Sequence, residues 1–287
     1  MLIFDNTAEL QKYLQSERIQ QRSIGFVPTM GALHLGHLSL IEKARENNDL
    51  VVCSIFVNPT QFNNPQDLVK YPRTITQDQK LLAQQGCDVL FLPENKTMYP
   101  DPVKTTFSFG NLEQTMEGQH RSGHFNGVAL IVSKLFHLIQ PDQAYFGQKD
   151  LQQYLIIRQF AQDLFFNTTV VCCPIIREND GLAMSSRNLR LTEAERAIAP
   201  KIYEALQSAR QSLLDGHSVS STKDHIQNFF SDVKVFDLEY FEIVKTMTLE
   251  PIDHVDQASQ VSLCIAAFLG EIRLIDNVFL YEQKGIF

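Results

Sequence analysis

"SIGFVPTMGALHLGH", Ser23 to His37, decides how this chain reads. Its first seven residues form an apolar run of strand length. A glycine follows almost at once, then two histidines three apart, His34 and His37. Beyond them "LSLIEKAREN" has apolar residues at three and four spacing, as an amphipathic helix does. A strand that turns on glycine into a helix is the opening unit of a parallel sheet. It leaves the two histidines at the carboxyl end of the strand, in what reads as the first turn of the helix.

Working outward, strand-like runs recur at "LVVCSIFV" (Leu50 to Val57), "CDVLFLP" (Cys87 to Pro93), "QAYFG" (Gln143 to Gly147) and "TTVVCCPII" (Thr168 to Ile176). Helical patterns separate them in "QDQKLLAQQG", "GVALIVSKLFHLI" and "LQQYLIIRQFAQDL". The alternation predicts an α/β fold, with a Rossmann-like parallel sheet filling an N-terminal domain over residues 1–176. Each strand runs into a polar segment, and in such sheets ligands bind at the carboxyl edge. From about residue 190 the texture changes. "LTEAERAIAPKIYEALQSARQSLLDG" reads as one helix, opened by a capping box of Thr192 and Glu195 and closed by Gly216. "VFDLEYFEIV", "QVSLCIAAFLG" and "EIRLIDNVFL" then read as strands, so a smaller α+β C-terminal domain is expected over residues 177–287, with the boundary between 176 and 190.

Bulk properties narrow the class. Lys plus Arg number 25 against 33 for Asp plus Glu, a net charge of -8, and no basic run offers a footprint for a nucleic acid backbone. No stretch reaches the roughly 20 apolar residues that span a bilayer. The N-terminus carries acids where a signal peptide has a basic and then an apolar run. The expectation is a cytoplasmic protein with no nucleic acid or membrane partner. Cys53, Cys87, Cys172, Cys173 and Cys264 lie in apolar runs with no C-x-x-C pair, and read as reduced core residues.

His34 and His37 at a helix N-terminus face unpaired N–H groups and a partial positive charge, the setting in which phosphate binds. The residues alone leave two readings, a phosphate site or a pair of polar residues on the surface. A zinc site lacks H-E-x-x-H and a second ligand pair. "GALHLG" is neither G-x-x-x-x-G-K-[ST] nor G-x-G-x-x-G, so a nucleotide site here must find its cations elsewhere. Lys149 in "FGQKD" and Arg187 in "AMSSRN" are candidates, with Ser185 and Ser186 as hydroxyl donors in a loop led by Gly181. Either cation could equally be a solvated loop residue.

"PTMGALHLGH" paired with "AMSSRN" resembles the HIGH-type and KMSKS-type signatures of the nucleotidylyltransferase superfamily. With "SIFVNPTQF", "YPRT", "MEGQHRSGHFNGV", "SKLF", "QPDQAYFGQKDLQQ" and "REND-GLAMSSRN", the chain from about residue 25 to 190 is similar to the pantothenate synthetase family. These enzymes join pantoate to β-alanine through a pantoyl adenylate, using ATP and magnesium. The resemblance implies that ATP is held by the run Pro28, Thr29, Met30, Gly31, Ala32, Leu33, His34, Leu35, Gly36 and His37. It adds Gly147, Gln148, Lys149 and Asp150, then Met184, Ser185, Ser186 and Arg187, with the Ile176 backbone on adenine. It implies that His37 is the catalytic acid, with His34 beside it on the phosphates, and that Gln61 and Gln153 hold pantoate, Gln61 also facing β-alanine. It further implies a homodimer formed by the N-terminal domain, and a C-terminal domain that acts as a lid.

The chemistry fits these residue types. A carboxylate must be activated by attack on the α-phosphate, and His34, His37, Lys149, Ser185, Ser186 and Arg187 supply donors where negative charge builds. Three positions depart from the family's usual pattern: Ser122 stands where proline is common, Gln148 where glutamate is, and Gln77 where some relatives have an acid beside the one matching Asp78. The protein ligand of magnesium stays open. Glu117 is expected to order the loop above the site or the dimer contact, or else to be a solvated acid.

Overall fold

The structure, a computed structural model, describes residues 1–256 and 260–281. Residues 282–287, which close the expected second domain, lie outside the described residues, as do 257–259. The chain forms two compact units. One comprises Met1–Gly147 and Gln153–Pro174, the other Gln148–Gln152 and the chain from Ile175 onward.

In the first unit, β1 (Leu2–Phe4), β2 (Ile24–Thr29), β3 (Leu50–Ile55), β4 (Val89–Phe91), β5 (Gln143–Gly147) and β6 (Thr169–Cys173) form a parallel sheet in the order β1-β4-β3-β2-β5-β6. Its helices are α1 (Thr7–Ile19), α2 (Leu35–Asn47), α4 (Ile75–Gln84), α7 (His124–Ile139) and α8 (Leu151–Asp163), with short α3 (Pro65–Lys70), α5 (Asn95–Met98) and α6 (Met116–His120) between them. On one face Leu40, Ile41 and Ala44 of α2 and Leu82 of α4 pack with Val27, Val51, Cys53 and Leu90 of the strands. On the other, Phe26 meets Phe136 of α7 at 6.5 Å, and Phe136 meets Phe160 of α8 at 5.9 Å. Cover on both faces explains why these strands read as unbroken apolar runs rather than alternating ones.

The chain moves outward from β2 to β3 and β4, then crosses back to β5 and β6 on the other side of β2. This reversal makes the β2/β5 seam the topological switch point, where ligands of such sheets bind. The seam also opens: β2 pairs with β3 from Ile24↔Leu50 to Thr29↔Ile55, but with β5 only at Gly25↔Gln143 and Phe26↔Ala144. Pro28 sits just past the parting. Thr29 faces β3, where its carbonyl accepts from Phe56 N at 3.0 Å, so Pro28 faces the open side and its missing N–H breaks no ladder.

In the second unit, β7 (Phe236–Lys245), β8 (Val261–Leu269) and β9 (Ile272–Phe279) form an antiparallel sheet covered by α10 (Lys201–Leu214) and α11 (Val219–Asp232). Ile202, Leu206 and Leu213 of α10 share a core with Ile243, Leu263, Ile265 and Leu274. The expected α/β fold with a smaller α+β part is the one observed.

The structure corrects the sequence reading at three places. β1 pairs with β4 as a sixth strand, and α1 follows it, opened by Asn6 Oδ1 accepting from Ala8 N at 2.8 Å. The expected single helix after Thr192 is two, α9 (Glu193–Ile198) and α10, because Pro200 has no N–H to continue the ladder. Its capping box is present, with Glu195 N donating to Thr192 Oγ1 at 3.3 Å. His34 is not inside a helix but is the residue that caps one.

All five cysteines are free and buried. Burial pushes the Cys87 thiol up to about 12 and the Cys173 thiol up to about 11, which leaves them poor nucleophiles at neutral pH.

Candidate active site

At the end of β2, Thr29 Oγ1 donates to Ser54 O at 2.8 Å and accepts from Gly31 N at 3.2 Å. Gly31 and Ala32 then take left-handed conformations, with φ of 82° and 50°. A Cβ on Gly31 would lie 3.0 Å from Ile55 Cγ2 and 3.1 Å from Asp78 Oδ2, so only glycine passes here without strain. Asp78, 1% exposed, accepts from Ala32 N at 3.0 Å and Leu33 N at 2.9 Å, and from Thr74 Oγ1 at 3.1 Å. One buried carboxylate thus binds the turn that delivers the histidines.

His34 has extended backbone, and its Nδ1 accepts from Gly36 N at 3.2 Å; His37 Nδ1 in turn accepts from His34 N at 3.4 Å. Two histidines therefore form a reciprocal cap of the kind usually built from Ser or Thr and Glu. Their ring centroids lie 4.0 Å apart, tilted by 40°. A ring that accepts a backbone N–H at Nδ1 carries its single neutral-form proton on Nε2. The cap therefore makes each Nε2 a donor, the role the sequence suggested for phosphate. Leu35 is exposed on the first turn, while Gly36 is partly covered.

Beyond β3, Asn58 caps a 3-10 turn over Pro59–Gln61. Its Oδ1 accepts from Tyr99 OH at 2.8 Å and Thr60 Oγ1 at 3.0 Å; its Nδ2 donates to Gln61 Oε1 and Gly127 O, both at 3.1 Å. With Oε1 engaged, Gln61 presents its NH2, which among the described residues meets the Met30 sulfur at 3.0 Å. Thioether sulfur is a weak acceptor, easily replaced by a carboxylate oxygen. His124 Nδ1 lies 2.8 Å from Gln61 O. The turn rests directly on α7: a Cβ on Gly127 would come within 2.2 Å of Thr60 O. Asn58, Tyr99, His124 and Gly127 were missed as supports of Gln61; Asn-Pro opening the turn three residues before the glutamine was the signal available. Gln153 lies half-buried in the first turn of α8.

In the second unit Gln148–Asp150 forms a 3-10 turn after Gly147. Lys149 Nζ lies 3.8 Å from Asp150 Oδ1, with 17% of the lysine side chain exposed. Further on, Met184 N donates to Ile176 O at 3.0 Å and Glu178 N to Leu182 O at 2.9 Å, closing a short hairpin around Gly181. Ser185 Oγ accepts from Arg187 N at 3.3 Å and caps a turn over Ser186–Arg190; Ser186 is buried and Arg187 half-buried. The structure thus brings Met30, Gln61 and the histidine cap into adjoining turns of one unit, and joins Ile176 to Met184 in the other. Among the described residues no three His, Cys, Asp or Glu side chains gather into a metal-holding group.

A profile of the pantoate-beta-alanine ligase family matches residues 2–279. The pantothenate synthetase of Cytophaga hutchinsonii is 46% identical over 281 residues, covering 98% of this chain and 99% of its own. The crystal structure of pantothenate synthetase from Thermus thermophilus matches with a TM-score of 0.92 and 41% identity, over 98% of this chain and 100% of that one. The pantoate-beta-alanine ligase of Francisella tularensis, solved in complex with beta-gamma ATP and beta-alanine, matches with a TM-score of 0.82 and 38% identity over 98% of each chain. Matches of this extent, carried through both units, establish that the chain belongs to the pantoate-beta-alanine ligase family.

Proposed function

We propose that the protein is an ATP-dependent ligase that joins pantoate to β-alanine through pantoyl adenylate. Family membership over residues 2–279 carries the reading. In the first step a pantoate carboxylate oxygen attacks the α-phosphorus of MgATP and the bond to pyrophosphate breaks. In the second the amine of β-alanine attacks the acyl carbon, AMP leaves, and the amine gives up its proton.

The site residues take these roles. Nε2–H of His34 and of His37 donate to the phosphoryl oxygens as charge builds, with His37 as the acid, and Lys149, Ser185, Ser186 and Arg187 supply further donors. The turn from Pro28 to Gly36, Gly147, Gln148 and Asp150 hold the phosphates and ribose, with Ile176 and Met184 at the adenine. Gln61 and Gln153 orient pantoate by neutral amides, which leaves its carboxylate a better nucleophile than a strong ion pair would. The NH2 that Gln61 presents, with Asn58 holding its Oε1, supports this. Magnesium enters with ATP, as part of the substrate; phosphate oxygens and water satisfy most of its octahedron.

In the same reading the N-terminal part, residues 1–176, binds nucleotide and pantoate, and residues 177–287 form a lid that shields the adenylate from water. The protein works as a homodimer in the cytoplasm, which sedimentation and cell fractionation test. No helix among the described residues is long and apolar enough to cross a membrane.

The deciding experiment is exchange of labelled pyrophosphate into ATP with pantoate and magnesium, without β-alanine. Exchange that requires pantoate, followed by AMP and pantothenate once β-alanine is added, is the expected result. Exchange with a different carboxylate only would keep the adenylating chemistry and overturn the substrate; no exchange with any acid would overturn the ligase reading.

A further inference from the structure

β9 carries a polar pair where its sequence pattern asks for an apolar residue. Ile272, Leu274 and Val278 turn into the core of the second unit, and Asp276 falls in the same register, 2% exposed. Its carboxylate takes a two-pronged contact from Arg177, Nη1 to Oδ2 at 2.6 Å and Nη2 to Oδ1 at 2.9 Å. Arg177 also donates to Gly181 O at 3.0 Å and Asn277 O at 3.3 Å, and its guanidinium lies 3.8 Å from the centroid of the Tyr203 ring. That ring packs so closely that a Cβ on Gly181 would come within 2.4 Å of it. The hairpin leading into Met184–Arg187 is thus fastened to β9 and α10 through one arginine.

The next residue fastens the other loop. Asn277, 3% exposed, donates from Nδ2 to Gln148 O at 2.9 Å and Lys149 O at 3.1 Å, and its Oδ1 accepts from Gln148 Nε2 at 3.0 Å. Asp276 Oδ1 accepts from Asn277 N at 2.7 Å, which ties the two attachments together. A buried ion pair is poor value as a stabiliser, since apolar residues of similar size often serve as well or better. Burial also pushes the Asp276 carboxyl up, against the pull of Arg177 and Lys149.

We infer that Asp276 and Asn277 are positioning residues, which set the Lys149 turn and the Arg177–Arg187 loop in register with each other through adjacent side chains of one strand. The inference rests on the proposed role of those loops in holding ATP. It adds residues that touch no substrate yet govern how the phosphate donors are presented.

The test uses the full chain in three forms, Asn277→Ala, Asn277→Asp and the double variant Arg177→Met/Asp276→Leu, with Lys149→Ala alongside. Asn277→Ala is expected to raise KM for ATP at least about tenfold and lower kcat/KM for ATP about 10²-fold, the scale of a 1 Å misplacement, with KM for pantoate within about twofold. Asn277→Asp is near-isosteric but turns an oxygen toward two carbonyls, and is expected to be at least as damaging. The double variant is expected to keep or raise Tm while KM for ATP rises. A merely structural role would lower Tm and the active fraction but leave both KM values unchanged. Wild-type ATP kinetics in the Asn277 variants or in the double variant, beside an inactive Lys149→Ala, would overturn the inference alone. Near-wild-type turnover in Lys149→Ala would overturn the reading beneath it.

Discussion

His34 and His37 are held by backbone groups two and three residues away, whereas Gln148 and Lys149 are held by Asn277, 129 and 128 residues away. The first arrangement is written into one helix start, with Asp78 binding the turn that leads into it. The second exists only once β9 has paired with β8 and the second unit has closed its core. Damage to the histidine cap should therefore stay local. Damage to β9 should reach residues far along the chain with no change in their own sequence.

The largest effects test whether both regions serve the same chemistry. His37→Ala and Lys149→Ala are each expected to lower pantoate-dependent pyrophosphate exchange by about 10²- to 10³-fold, the cost of one transition-state donor. A variant close to wild type would remove its region from the comparison. Gly127→Ala comes next. Its methyl would press on the Thr60 carbonyl 2.2 Å away, and a stability loss of about 1–3 kcal/mol by denaturant titration is expected, with KM for pantoate raised through Gln61. Asp78→Asn leaves one of the turn's N–H donors facing an NH2 group, at a cost of about 1–3 kcal/mol. Its effect on KM for ATP should exceed its effect on KM for pantoate, since the turn delivers the histidines.

The smallest effect belongs to the surface pair Arg196–Asp180, 2.6 Å apart. The hydrogen bond from Arg196 holds the Asp180 carboxyl below its ordinary value despite slight desolvation. The stability it adds is therefore present above the usual carboxylate range and fades as pH falls through and below it. Solvent screening limits it to at most about 1 kcal/mol, so Arg196→Ala should barely shift Tm at neutral pH and not at all in strong acid.

The same contrast explains what could be read in advance. The sheet was legible because β2, β3, β4 and β5 are largely buried and, with the edge strand β6, lie in apolar runs. β1 was not: it has three residues, and Leu2 and Ile3 are each 49% exposed at the sheet edge. Helical periodicity gave α10 but hid its break from α9, since Pro200 interrupts the backbone without disturbing the apolar spacing. On the site, the histidine spacing and its helix start suggested phosphate because partner and function lie within four residues. Asn58 was nearly legible, three residues before Gln61. Asp276 and Asn277 were not, because "EIRLIDNVFL" reads only as a strand, and it takes the tertiary fold to bring Arg177 and Gln148 to them.

The buried thiols give each unit its own built-in reporter. Cys53, Cys87, Cys172 and Cys173 lie in the first unit and Cys264 in the second, all inaccessible in the closed chain. An alkylating reagent can reach them only during an opening event, so the labelling rate of each cysteine counts how often its surroundings come apart. Mass spectrometry of the labelled peptides, with and without ATP and pantoate, would then measure how substrate changes the opening of each half separately.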